Sequence, residues 1–217
     1  KVYGGGRGGV GKNGQNIAII NCADQITVPP VEGVHWDVHA TINFGGSPGA
    51  TAAGILFDSV LASTIVFHDQ IVVGASPNYG YGVRFAPRRL LPSDDVAGRT
   101  ITSSTIRMPS IVKVGGVGVF FDCTAGGISS NFFDLMEPNG TGTSGSTGVK
   151  VELATSKSFD NNIVRIIDCH GWDVCINAGS DNTFGNNCFG NSWDVQCDPN
   201  AGGVGIDWLR LAISVIL

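Results

Sequence analysis

Residues 129–140 read SSNFFDLMEPNG, residues 160–171 read DNNIVRIIDCHG and residues 180–191 read SDNTFGNNCFGN. Laid over one another without gaps, they put Asn131, Asn162 and Asn182 in one column and Glu137, Asp168 and Cys188 in another. Between the columns runs a short stretch of largely apolar or β-favouring residues, bounded by Gly, Asn, Asp and Ser, which is a strand between turns. The copies begin at Ser129, Asp160 and Ser180, an uneven spacing that loops can absorb. Self-similarity at such periods marks a stacked repeat, in which each unit buries its apolar side on its neighbours.

Outward from this stretch lies a second set of short strands, each entered through Gly or Asp. They are GILFD from Gly54, GVRF from Gly82, GVFFD from Gly118, GVKVE from Gly148, DVCIN from Asp173 and GIDW from Gly205. The steps from each entry to the next leave room for two or three short strands per layer. Trp-Asp-Val at 172–174 returns at 193–195, which points to a shorter layer there. No segment carries a long apolar stripe at helical spacing, which argues against helical repeats. The expectation is an all-β chain folded as a right-handed parallel β-helix (solenoid) of about six to eight turns. One domain spans 1–217, with 1–30 as an N-terminal capping segment. The apolar 205–217 end is expected to pack on the coil or lead into a further domain.

Composition agrees with a turn-rich, well-buried fold. The 32 Gly among 217 residues are roughly twice the usual share, without a collagen period. Charged residues make up 14% against about 25% in ordinary domains, and mean hydropathy is +0.17. Such a chain is deeply buried or assembles with copies of itself. A net charge of −5 argues against nucleic acid as a partner. The closing LRLAISVIL is nine residues, too short to cross a membrane. With no initiator Met, the chain is read as processed or partial. Cys22, Cys123, Cys169, Cys175, Cys188 and Cys197 are expected mainly as buried free thiols, with some disulfide as the alternative. Cys169, His170 and Cys175 fit no zinc spacing, and no metal is assigned.

In a parallel coil, equal positions on successive layers stand about 4.8 Å apart. A column of Asn can then bond from layer to layer, and this is the expected role of Asn131, Asn162 and Asn182. Aligning Ser63 with Asn131 adds Asp69 to the column of Glu137 and Asp168; aligning Ser104 adds Ser110. Carboxylates on neighbouring layers approach the roughly 5–5.5 Å of a retaining glycosidase pair or, splayed, the roughly 6.5–9.5 Å of an inverting one. Asp69, Glu137 and Asp168 are therefore the candidate catalytic acids, with solvated turn acids as the alternative. Asp58, Asp122 and Glu152 form a second acidic column. Trp172, Tyr79 and Tyr81 are candidate sugar-stacking platforms, with core packing as the alternative. His170, Asp173 and Arg165 complete the candidate substrate-binding set.

The opening carries a resemblance. Val2-Tyr3-Gly4, the Gly-rich turn, the Ala/Ile segment and Val28-Pro29-Pro30 look like the start of pectate-lyase-like β-helix proteins, including many phage tailspikes. Where that family has GDG and DDT, this chain has Gly8-Gly9-Val10 and Asn13-Gly14-Gln15-Asn16, with no Asp pair. The resemblance implies a polysaccharide as partner, bound or cleaved by hydrolase or lyase chemistry. It also implies a basic residue, for which Arg165 is the one available in the strong repeats, and allows calcium, for which no motif is present. No cofactor is assigned. The expected setting is a virion or the extracellular space, as a homotrimer or with other virion subunits. The alternative is a non-catalytic spike, fibre or decoration subunit, or an adhesin-type spacer.

Overall fold

Alternation decides the interior. In the computed structural model, which describes residues 19–22, 24–28, 30–87, 100–154, 157–178 and 190–208, Ile65 and Phe67 point inward and Thr64 and Val66 outward. The same in-out pattern recurs in Thr105–Met108, whose Ile106 and Met108 are buried. A period of two with one apolar face makes a half-buried strand. Every strand pairing among the described residues is parallel, and none of these residues is helical. The fold is an all-β parallel solenoid of about five turns. Its strands form an eleven-stranded, a seven-stranded and a five-stranded sheet.

The seven-stranded sheet sets the layer length. Ile26, Ile55, Val83, Val119, Val149, Ile176 and Ile206 lie in one register column, one to a layer. Their steps along the chain resemble that from Asn131 to Asn162 rather than the shorter one from Asp160 to Ser180. The five-stranded sheet, from Val31–Glu32 to Phe159–Asp160, closes the third side of only five layers among the described residues. That is why the turns number about five rather than six to eight. Gly54, Gly82, Gly118, Gly148 and Gly205 also share a column, so the glycine entries do mark layers. Cys175, not Asp173, holds that column in its layer. The first four glycines are needed because no side chain fits there: an added Cβ at Gly82, for one, would come within 2.5 Å of the Gly118 carbonyl oxygen. The Trp-Asp-Val recurrence is not a layer. Trp193 stands beside Val164, a full layer back, whereas Val174 belongs to the seven-stranded sheet.

The core is a pile of side chains inside the coil. Phe57, Phe85 and Phe121 stack at 4.9 and 5.1 Å, and Phe133 meets Phe121 edge-on at 4.8 Å. All four are fully buried. Burying one such ring contributes roughly 1.5–3 kcal/mol. Cys123, Cys169 and Cys175 are buried, Cys22 and Cys197 half-buried, and all five are free thiols. Residues 19–22 and 26–28, inside the expected cap, are already strands of the coil, as is Val204–Trp208 at the other end. Residues 209–217, the 88–99 part of the charged loop and most of the third repeat copy, with Asn182 and Cys188, lie outside the described residues.

Candidate functional site

One corner of the coil repeats in every layer. Gly33, Ala62, Ser103, Ser130, Asn161 and Gly190 all take left-handed φ, between 46° and 67°. After each left-handed residue but the first comes a side chain that bonds between layers. The Val34 amide donates to Ser63 Oγ (3.2 Å), Ser63 to Ser104 Oγ (3.1 Å) and Ser104 to Asn131 Oδ1 (3.0 Å). Asn131 then donates to Asn162 Oδ1 (3.1 Å), and Asn162 to Asn191 Oδ1 (2.9 Å). The Asn162 side-chain amide also donates to the Ile128 carbonyl (3.0 Å). Ser63, Ser104, Asn131, Asn162 and Asn191 are buried. The alignment of Ser63 and Ser104 with Asn131 holds. The residue that follows Asn162 in this column is Asn191, a full layer further on; Asn182 lies outside the described residues.

Outside this ladder lies a shallow groove of about 360 Å³, running across successive layers. Its polar lining is Ser103, Ser104, Thr105, Ser130, Asn131 and Asn161, its apolar lining Phe132 and Ile163. Ile163 is 51% exposed, the most exposed large apolar side chain among the described residues. No ionisable side chain lines the groove. Hydroxyls and amides beside an apolar patch can bind a neutral polyhydroxy ligand; they cannot move a proton at pH 7. The groove was legible in the sequence only as turn residues.

The acids lie elsewhere. Leu135 pairs with Ile166 and Asn139 with His170, which sets Glu137 beside Asp168 on adjacent turns. Both reach solvent, Asp168 at a left-handed φ of 59° where pairing with the next strand slips. His170 Nδ1 is 3.2 Å from Asp168 Oδ1. Asp69 does not join them. Ile71 donates to the Ser110 carbonyl and Ile111 to that of Glu137, so Gln70 shares their column. The turn at 68–70 has one residue more than those at 109–110 and 136–137. From Phe132 in the groove to Glu137 is five residues, about 16 Å of extended chain.

Two of the expected platforms are core. Trp172 is fully buried, its Nε1 donating to the Pro138 carbonyl at 2.7 Å. A Cβ at Gly118, Gly140 or Gly148 would come within 3.0 Å of its ring, so these glycines make its seat. Tyr79 is fully buried, edge-on to Phe44 at 5.9 Å. Tyr81 is half-buried on the seven-stranded sheet and stacks on Phe120 at 4.9 Å. The Arg84 guanidinium lies 5.1 Å from the Tyr81 ring centre and 5.5 Å from that of Phe120. Asp173 accepts from the Gly145 amide and from Asn200, tying down the 139–148 loop.

Arg165 belongs to an outward charge ladder. Arg107 Nε donates to Asp134 Oδ2 at 2.8 Å, and Arg165 lies 4.0 Å from Asp134 and 3.8 Å from Asp194. Of the second acidic column, Asp58 and Asp122 are buried and Glu152 is half-buried beside Asp122. Burial alone would raise the Asp122 carboxyl, but Thr124 and Arg84 bond to it and hold it below the ordinary value. Sequence reasoning missed Arg84 and Asp122 as a pair, and also the grouping of Asp37, His39 and His68. In both, the partners are a layer apart in the chain. No protein-family model, no curated protein and no solved structure matches this chain.

Proposed function

We propose that this solenoid binds a surface polysaccharide along the groove and does not cleave it. It would serve as a spike, fibre or spacer element on a virion or in the extracellular space, working as a homotrimer or with other virion subunits. The observation that carries this reading is that the lining of the groove includes no acid. The groove has hydroxyls, amides and the Phe132–Ile163 patch but no carboxylate, and neither Glu137 nor Asp168 lines it. The low charge and the repeat support a rigid presenting element.

Affinity electrophoresis against acidic and neutral capsular polysaccharides tests this. Ile163→Ser is expected to weaken retention about fivefold or more, with unchanged melting, and the wild-type chain to leave polymer length unaltered. A second reading, cleavage at Glu137 and Asp168, is favoured by their adjacent register and by the His170 contact. Depolymerisation that is lost in Glu137→Gln or Asp168→Asn would establish it in place of the first.

A further inference from the structure

Three of the four histidines of the chain, His35, His39 and His68, gather around Asp37. Strand pairing causes this. His35 and Asp37 lie on the outward side of His35–Val38, while Trp36 and Val38 pack on the core. On the next turn, Asp37 stands beside Val66, and the His68 amide donates to the Val38 carbonyl at 3.0 Å. That bond places His68 over His39. Their rings stack 4.0 Å apart and 4° from parallel. His68 Nε2 is 3.0 Å from Asp37 Oδ1, and His35 Nε2 is 3.4 Å from Asp37 Oδ2. One donor atom each from Asp37, His39 and His68 lies within 4.8 Å of the others.

The geometry points to a site for one divalent first-row transition-metal ion held by Asp37, His39 and His68, with His35 beside it, joining two successive turns of the coil. Metal–nitrogen and metal–oxygen bonds of about 2.0–2.2 Å put neighbouring tetrahedral ligands about 3.4 Å apart. Asp37 Oδ1 and His68 Nε2 stand 3.0 Å apart, and the His39 donor lies within 4.8 Å of both. The three side chains are exposed, so turning about the ring and carboxylate torsions meets little packing resistance. Two imidazoles and one carboxylate select zinc, cobalt, nickel or copper over calcium or magnesium, which prefer all-oxygen sets. Remaining positions are open to water or to His35. The cluster falls under no sequence motif because Asp37 and His39 are followed by His68 one full layer later.

Cobalt(II) is the probe, added to the chelator-stripped full chain. The expected result is one ion per chain, a ligand-field spectrum without the intense near-ultraviolet band of thiolate ligation, and a raised melting temperature. Calcium should do none of this. His39→Gln and His68→Gln should each weaken cobalt binding at least tenfold, and replacing the cysteines by serine should leave it intact. Binding that survives both histidine variants, binding through thiolate, or no binding at all would overturn the assignment; in the last case the cluster is a hydrogen-bonded surface group only.

Discussion

Two corners of the same coil behave differently. At the corner of Ser63, Ser104, Asn131, Asn162 and Asn191, every layer repeats the left-handed residue and the side-chain bond to its neighbour. At the corner of Glu137 and Asp168, only Asp168 is left-handed, and the turn near Asp69 is a residue longer. The first set of side chains is buried, the second reaches solvent. A buried polar atom must find a partner, so a change in turn length there leaves donors unsatisfied. An exposed acid has water, and its turn is free to lengthen. Register is enforced by burial.

The contrast breaks first at Asn162. Asn162→Ala removes the acceptor of two Asn131 donors and the donor to Ile128. We expect a loss of about 3 kcal/mol, from buried groups left without partners, read by urea denaturation. A loss under about 1 kcal/mol would mean that the ladder is not what fixes this corner.

Lys113 sharpens the comparison from inside the coil. It follows the second corner, is fully buried, and donates to the Gly74 and Val114 carbonyls at 2.8 Å each. Burial pulls its amine down from 10.5 to about 8. Below that value both folded and unfolded chains carry the proton. Between about 8 and 10.5 the unfolded chain holds more protons at this amine, so its contribution to stability rises with pH, by about 3 kcal/mol across the window. Lys113→Met should flatten the rise. A wild-type curve that rises no more than that of Lys113→Met over this range would show the amine to be stabilised as a cation.

The smallest effects belong to the acid corner. Glu137→Gln and Asp168→Asn are expected to change stability by less than about 0.5 kcal/mol, as exposed substitutions do. Asn also tolerates the left-handed backbone of Asp168. A larger loss in thermal melting would give these acids a structural role after all.

How much was legible follows the same division. The glycine entries at Gly54, Gly82, Gly118 and Gly148 and the Ser63–Ser104–Asn131–Asn162 column read through from letters to layers, because each position is dictated by a buried requirement. Trp172 and Tyr79 were ambiguous, since an aromatic ring suits a platform and a core alike. What decided Trp172 was the space left by Gly118, Gly140 and Gly148, which no local pattern reveals. One extra turn residue moves Asp69 out of the acidic column. Likeness of letters points to Asn182, whereas the bond across the layers is made by Asn191.

A double-mutant cycle tests the central claim, that one corner is coupled from layer to layer and the other is not. Asn131→Ala and Asn162→Ala, alone and together, should show a coupling of about 1–2 kcal/mol. Glu137→Gln and Asp168→Asn should add within about 0.3 kcal/mol. Additivity in the Asn pair, or coupling as large between the acids, would contradict it.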